Sequence, residues 1–282
     1  MLAVLVAVLV GMRGDNLRFG GSRLARLTVG GVISDDRKLD DVVTRLADND
    51  RVKALILAID SPGGSVAGGE GLHDAIARVA ARKPVVAVMG GTAASAAYMI
   101  AVPAARIFAR EGTLTGSIGV LLETGEVSGL LKAIGVNAEA ITSGPLKDQP
   151  SLIRPLTQQG KDVLQGLVMD MYDQFVGMVA SGRHMDAARV RELADGRAYT
   201  GRQALKLGLI DAIGGEHDAR LWLAQQRGVS ADLPIEDVST RSLTDRALSG
   251  SLSWMVNELW KSLLSQGVIL DGSRLVWQRF GG

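Results

Sequence analysis

Apolar residues recur along the chain with two distinct periods. Arg26 to Ile33, Val52 to Ile59, Pro84 to Met89 and Ala105 to Ala109 are short β-branched and aliphatic runs that read as strands. Between them, Leu39 to Asn49, Ser65 to Ala81 and Ser95 to Ala101 read as helices. The strand runs are nearly continuous in apolar character instead of alternating, which is the pattern of strands buried on both faces. The order predicts an α/β protein whose parallel sheet is covered by helices. A further strand is expected over Ala138 to Ile141. A long helix is expected over Thr157 to Ser181, with Val163, Leu164, Leu167, Val168, Met171, Phe175, Met178 and Val179 on one face as a core-packing stripe.

A second amphipathic pattern runs through Leu252, Met255, Val256, Leu259, Trp260, Leu263 and Leu264, after a polar stretch around Ser239 to Ser251. Its other face carries Asn257, Glu258 and Lys261 and is not basic, so a subunit contact or packing on the main domain is expected over adsorption to a membrane.

Two uncharged stretches raise the question of a membrane. Residues 1–12 span about half of the roughly 20 residues a transmembrane helix needs, and lack the basic region and cleavage site of a complete signal peptide. They read as part of a signal anchor or as a buried arm. The 22 residues between Lys83 and Arg106 are long enough to span, but Gly90-Gly91-Thr92, Ser95 and Pro103 divide them into a strand, a turn and a helix.

Composition narrows the chemistry. The 282 residues include no Cys, which removes disulfides, thiol nucleophiles and thiolate metal sites. His73, His184 and His217 show none of the paired spacings of a zinc ligand set. With 31 basic and 30 acidic residues the chain lacks the excess charge of a nucleic-acid binder. No cofactor or metal is implied.

Two glycine-rich loops follow the ends of predicted strands, where open α/β sheets place their ligands. Asp60-Ser61-Pro62-Gly63-Gly64-Ser65 can turn backbone N–H groups toward a developing oxyanion, although the same residues also make an ordinary turn. Gly90 to Tyr98 leads through small residues into a helix beginning near Ser95. A serine there is either an N-cap or a nucleophile whose charge the helix end stabilises. A nucleophile requires a base, and no His stands in a strand-end loop after Ser95. Lysine can serve when burial disfavours its charged form. Of eight lysines against 23 arginines, Lys147 follows the predicted strand Ala138 to Ile141 in a small-residue, apolar neighbourhood; the alternative is a plain surface lysine.

Five ordered segments resemble the signal peptide peptidase A family of bacterial Ser-Lys peptidases. They are Asp60-Ser61-Pro62-Gly63-Gly64, Thr92 to Tyr98, Thr115 to Val120, Gly144 to Asp148 with Arg154 to Thr157, and Asp195 to Ala204, within residues 25–225. The resemblance implies that Ser95 is the nucleophile, Lys147 the general base, and Ser117 the residue that orients the lysine amine. It implies an oxyanion hole from the N–H groups of Gly63 and Ala96. Where the family reads Ala-Ser-Gly-Gly-Tyr this chain has Ala-Ser-Ala-Ala-Tyr, which is expected to put methyl groups in the wall beside the nucleophile.

The implied fold is α/β, with stacked ββα units like those of caseinolytic protease and crotonase and additional C-terminal helices. The implied organisation is an N-terminal arm or anchor remnant over 1–24, a peptidase domain over 25–238 and a tail over 239–282. The implied activity is endoproteolysis of apolar peptides such as signal-peptide remnants. It would be carried out by a homo-oligomer at the bacterial cytoplasmic membrane, with the catalytic domain on the extracytoplasmic side. A crotonase-like acyl-CoA enzyme, a cytosolic protease with a Ser-His-Asp triad and a non-catalytic membrane scaffold are the competing readings.

Overall fold

The computed structural model describes residues 21–239. The apolar run at 1–12 and the amphipathic pattern at 252–264 lie outside the described residues. The first half alternates as expected: β1 (Arg23–Ile33), α1 (Arg37–Arg45, prolonged by a 3-10 turn over Leu46–Asp48), β2 (Val52–Gly64), α2 (Val66–Ala80), β3 (Val85–Ala94), α3 (Ala96–Met99), β4 (Arg106–Ala109) and β5 (Leu114–Gly116). The second half holds α4 (Ser128–Ala133), α5 (Gln158–Arg183), α6 (Ala187–Leu193), β6 (Ala198–Thr200), α7 (Gly201–Leu207), β7 (Ala212–Ile213), α8 (Glu216–Arg227) and β8 (Ile235–Asp237). Side chains define the helix starts: Asp36 caps α1, Ser65 caps α2, Thr157 caps α5, and Thr200 with Gln203 forms a capping box on α7.

The strands form one sheet in the order β6-β5-β3-β2-β1-β8, with β4 joining β3 to β7. Every pairing is parallel except β5 with β6. The sheet forks at β3, which pairs with β4 up to Met89 and with β5 from Thr92 onward. The fork falls at Gly90-Gly91, against the carboxylate of Asp60, whose Oδ1 accepts from the Thr92 N–H at 3.0 Å. Past this fork the end of β3 pairs with β5 as far as Ala94, and Ser95 follows immediately.

Helices cover both faces. Leu55, Leu57 and Ile59 of β2 pack into the larger core with Ile76, Val79, Phe175 and Val179, while Ala54 and Ile56 point to the other face against Ala219 and Leu223 of α8. That is why β2 is apolar at successive positions.

Two expectations fail. No strand forms over Ala138 to Ile141, and Ile141 is 98 % exposed. A strand is held by pairing with a neighbour, and no residue of this run pairs with a strand of the sheet, so it stays in an exposed loop. The stripe on α5 is core only in its second half, where Phe175 and Val179 are buried; Val163 and Leu167 are exposed. A 26-residue helix is about 39 Å long, and its N-terminal half runs past the body it packs on.

Candidate active site

Ser95 joins β3 to α3 with φ 57° and ψ −126°, a conformation that costs a non-glycine residue strain. Its N–H donates to the Gly116 carbonyl at 2.8 Å, which fixes the bend. Its carbonyl accepts from Tyr98 and Met99, opening the helix, but its side chain makes no capping bond. Ser65, Thr157 and Thr200 all spend their hydroxyls on helix N–H groups; Ser95 does not. Of the two roles open to it in the sequence, the N-cap is therefore not the one it takes here.

Ser95 and Ser117 line one cavity of about 370 Å³ together with Gly64, Val66, Gly119, Val120, Leu121 and Gly196. Ser117 also has a left-handed backbone, φ 48°, held by its N–H donating to the Arg197 carbonyl at 3.0 Å. The strands behind the two serines are tied by Thr115, whose buried hydroxyl donates to the Ala93 carbonyl at 2.8 Å. The walls are aliphatic and the rest is glycine backbone, so the cavity suits a small or aliphatic side chain.

Gly63 stands against this bend. A Cβ there would lie 2.8 Å from Ser95 Cβ and 3.1 Å from the Ala96 nitrogen, and φ is +110°, so only glycine fits. The backbone of Gly63, which the resemblance implies as an oxyanion donor with Ala96, thus lies close to Ser95 and Ala96. In this structure the Gly63 N–H donates to Ser61 Oγ at 3.1 Å.

The expected methyl wall is not there. Ala96 and Ala97 are buried, at 3 % and 0 % exposure, and neither lines the cavity. The Ala96 methyl faces α2 instead, where Gly69 leaves room for it. The Ser-Ala-Ala variation is accommodated in the core.

Tyr98 anchors α3 from within. Its hydroxyl is buried and donates to the Leu209 carbonyl at 2.7 Å, and burial pushes its ionisation well above the usual tyrosine range. Beside it, Arg183 at the end of α5 pairs with Asp211 at 2.6 Å, and Asp211 also accepts from the Ile107 N–H at 2.7 Å.

Lys147 is not brought to this group. It is exposed in a turn within residues 145–148 and is not among the residues that line the cavity. The turn is moored elsewhere: Asp148 pairs with Arg154, and Gln149 Oε1 accepts from the Thr157 N–H at 3.0 Å at the start of α5. Along residues 121–152, Leu121, Leu130, Ile134, Ile141 and Leu152 are exposed apolar side chains. The three histidines lie on α2, at the end of α5 and on α8.

Sequence reasoning missed Ser61 as a partner of Gly63, and Gly69 as the socket for Ala96. The signal for Gly69 was present, because three glycines at 68, 69 and 71 inside a helix cost stability and mark close packing.

The sequence model of Peptidase family S49 matches residues 77–230, and that of Clp protease matches residues 26–114. A Synechocystis protein named "Putative protease slr0021" is 40 % identical over 211 residues, covering 74 % of this chain and 76 % of that one. The "Serine protease SPPA, chloroplastic" of Arabidopsis thaliana is 33 % identical over 246 residues, covering 83 % of this chain and 36 % of that one. Among solved structures, a protein titled 1510-N membrane-bound stomatin-specific protease superposes with a TM-score of 0.51 at 16 % identity, over 78 % of this chain and 99 % of that one, which marks a shared fold.

Proposed function

The chain belongs to peptidase family S49, the signal peptide peptidase A family, and is a serine protease of Clp-protease-like fold; from that premise we propose that Ser95 is its nucleophile and Lys147 its general base. Neutral Lys147 takes the proton from Ser95 Oγ as that oxygen attacks the peptide carbonyl. The N–H groups of Gly63 and Ala96 stabilise the tetrahedral oxyanion. The C–N bond then breaks, the leaving amine takes the proton from the lysine ammonium, and water hydrolyses the acyl ester by the same base. Ser117 orients the lysine amine.

The observation that carries this reading is the backbone of Ser95: a strained, non-glycine φ with an uncommitted hydroxyl, facing a cavity and packed closely against Gly63. Strain of this kind persists where the surroundings over-determine it, and such sites are disproportionately functional.

Lys147 reaches the cavity when the segment that bears it is covered. Leu121, Leu130, Ile134, Ile141 and Leu152, with Val163 and Leu167 in the N-terminal half of α5, present a run of exposed apolar side chains along this stretch of the chain. A homo-oligomer buries it, and with it the lysine turn. The substrates are peptides with small or aliphatic side chains at the cleaved bond, such as signal-peptide remnants. The enzyme works at the bacterial cytoplasmic membrane with its catalytic domain on the extracytoplasmic side.

A fluorophosphonate probe tests the nucleophile: it labels the wild-type chain and leaves Ser95→Ala unlabelled. Labelling retained in a folded Ser95→Ala chain removes the assignment, and with no labelling of either chain an acyl-CoA or scaffold role gains ground.

A further inference from the structure

The Gly63 N–H is already engaged in the free protein. It donates to Ser61 Oγ at 3.1 Å, and the Ser61 hydroxyl donates onward to the Gly31 carbonyl at 2.6 Å. Ser61 is 1 % exposed, so its oxygen is sheltered from competing water. The two bonds tie the end of β2 to a bend in β1, where Gly31 has φ 68° and the β1–β2 register shifts between Gly30 and Val32. A buried N–H without an acceptor is costly, and a serine two residues upstream is a common local acceptor.

We infer that Ser61 is a positioning residue that holds the Gly63 amide in a satisfied resting state and yields it to the oxyanion of the tetrahedral intermediate. The inference rests on the roles proposed for Ser95 and Gly63. One N–H makes one strong linear bond, so Ser61 and the oxyanion compete for it. A neutral hydroxyl loses that competition to a negatively charged oxygen, whose hydrogen bonds are about twice as strong. A neutral substrate carbonyl does not displace it as readily. The bond to Ser61 therefore keeps the amide satisfied in the resting enzyme at a cost to the affinity for the intermediate, while the bound substrate carbonyl is little affected. Through the exchange Ser61 keeps its bond to Gly31, so the loop stays tethered while its amide changes acceptor.

The test uses a peptide boronate, which forms an anionic tetrahedral adduct with a serine. Ser61→Ala frees the donor, and the boronate is expected to bind about three- to ten-fold tighter, the worth of one neutral hydrogen bond, with the substrate KM unchanged. Ser61→Thr keeps the oxygen and behaves as wild type. Boronate affinity in Ser61→Ala that is unchanged or weaker overturns the inference. Amide NMR of the wild-type protein gives a readout independent of how the variants fold: boronate should move the Gly63 N–H resonance strongly downfield, and a shift at Ala96 without one at Gly63 overturns it. Equal boronate binding by Ser95→Ala overturns the parent assignment and this inference with it; normal loss in Ser95→Ala with no Ser61 effect overturns this inference alone.

Discussion

The methyl group of Ala96 packs against the backbone of Gly69. A Cβ built on Gly69 would stand 2.9 Å from Ala96 Cβ and 3.0 Å from Met99 Sδ, closer than real contacts come. The residue that follows Ser95 is therefore packed against α2. Substituting Gly69→Ala gains about 1 kcal/mol of helix propensity. It also overpacks the interface, at a cost of about 1–3 kcal/mol. The expected outcome is a net loss of stability with reduced activity, since α3 carries Ser95 at its start. Adding Ala96→Gly to Gly69→Ala should restore both, and a double-mutant cycle on urea unfolding measures the coupling. Additive effects would mean that the two positions do not share one space.

Gly63 gives a second outcome. Gly63→Ala demands φ +110° of a residue with a side chain, and sets its methyl against Ser95 Cβ and the Ala96 nitrogen. Removing or misplacing one oxyanion donor costs about 10²–10³ in kcat. The loss should fall on kcat, with KM little changed, in steady-state cleavage of a fluorogenic peptide. A variant with near-normal kcat would exclude Gly63 from the oxyanion hole.

Much of this was legible beforehand, and the failures share a cause. The order of β and α elements, the Ser95 bend and the Gly63 loop follow from local patterns of small and apolar residues. The extents of β2 and β3 do not: side-chain pattern ends them at Ile59 and Met89, yet the backbone continues to Gly64 and Ala94, because pairing depends on a neighbouring strand and not on the residue's own polarity. From side-chain pattern alone the first half of α5 reads as core and Ala138 to Ile141 as a strand. Burial needs a partner surface, and one chain does not supply it there. The surroundings of Lys147 belong to that same stretch, which is why the expected enclosed neighbourhood is absent.

Tyr98 makes alkaline stability a readout of how α3 is anchored. Burial raises its ionisation above the ordinary value of 10.0, so the folded state holds the proton more tightly than the unfolded chain. Its stabilising contribution is complete below pH 10 and is lost as pH rises from there through the higher folded value. Tyr98→Phe should cost about 1–2 kcal/mol at pH 7 by leaving the Leu209 carbonyl without its donor. The difference from wild type should narrow above pH 10. Thermal unfolding of both chains between pH 7 and 11 measures it, and parallel curves would show that Tyr98 ionises as readily folded as unfolded.

The lysine assignment makes the sharpest demand. Lys147→Ala should lose about 10²–10⁴ in kcat/KM. Lys147→Arg should not restore it, because a guanidinium is effectively never deprotonated in a protein. Full activity in Lys147→Ala would remove Lys147 as the base. Because Lys147 is exposed and outside the cavity lined by Ser95 and Ser117, mixing inactive Ser95→Ala and Lys147→Ala chains reads how the pair is assembled. Recovered peptidase activity in the mixture, absent from either variant alone, is the expected result if a neighbouring copy delivers the lysine. Its absence, with oligomers of normal size, assigns the lysine to the same chain as its serine.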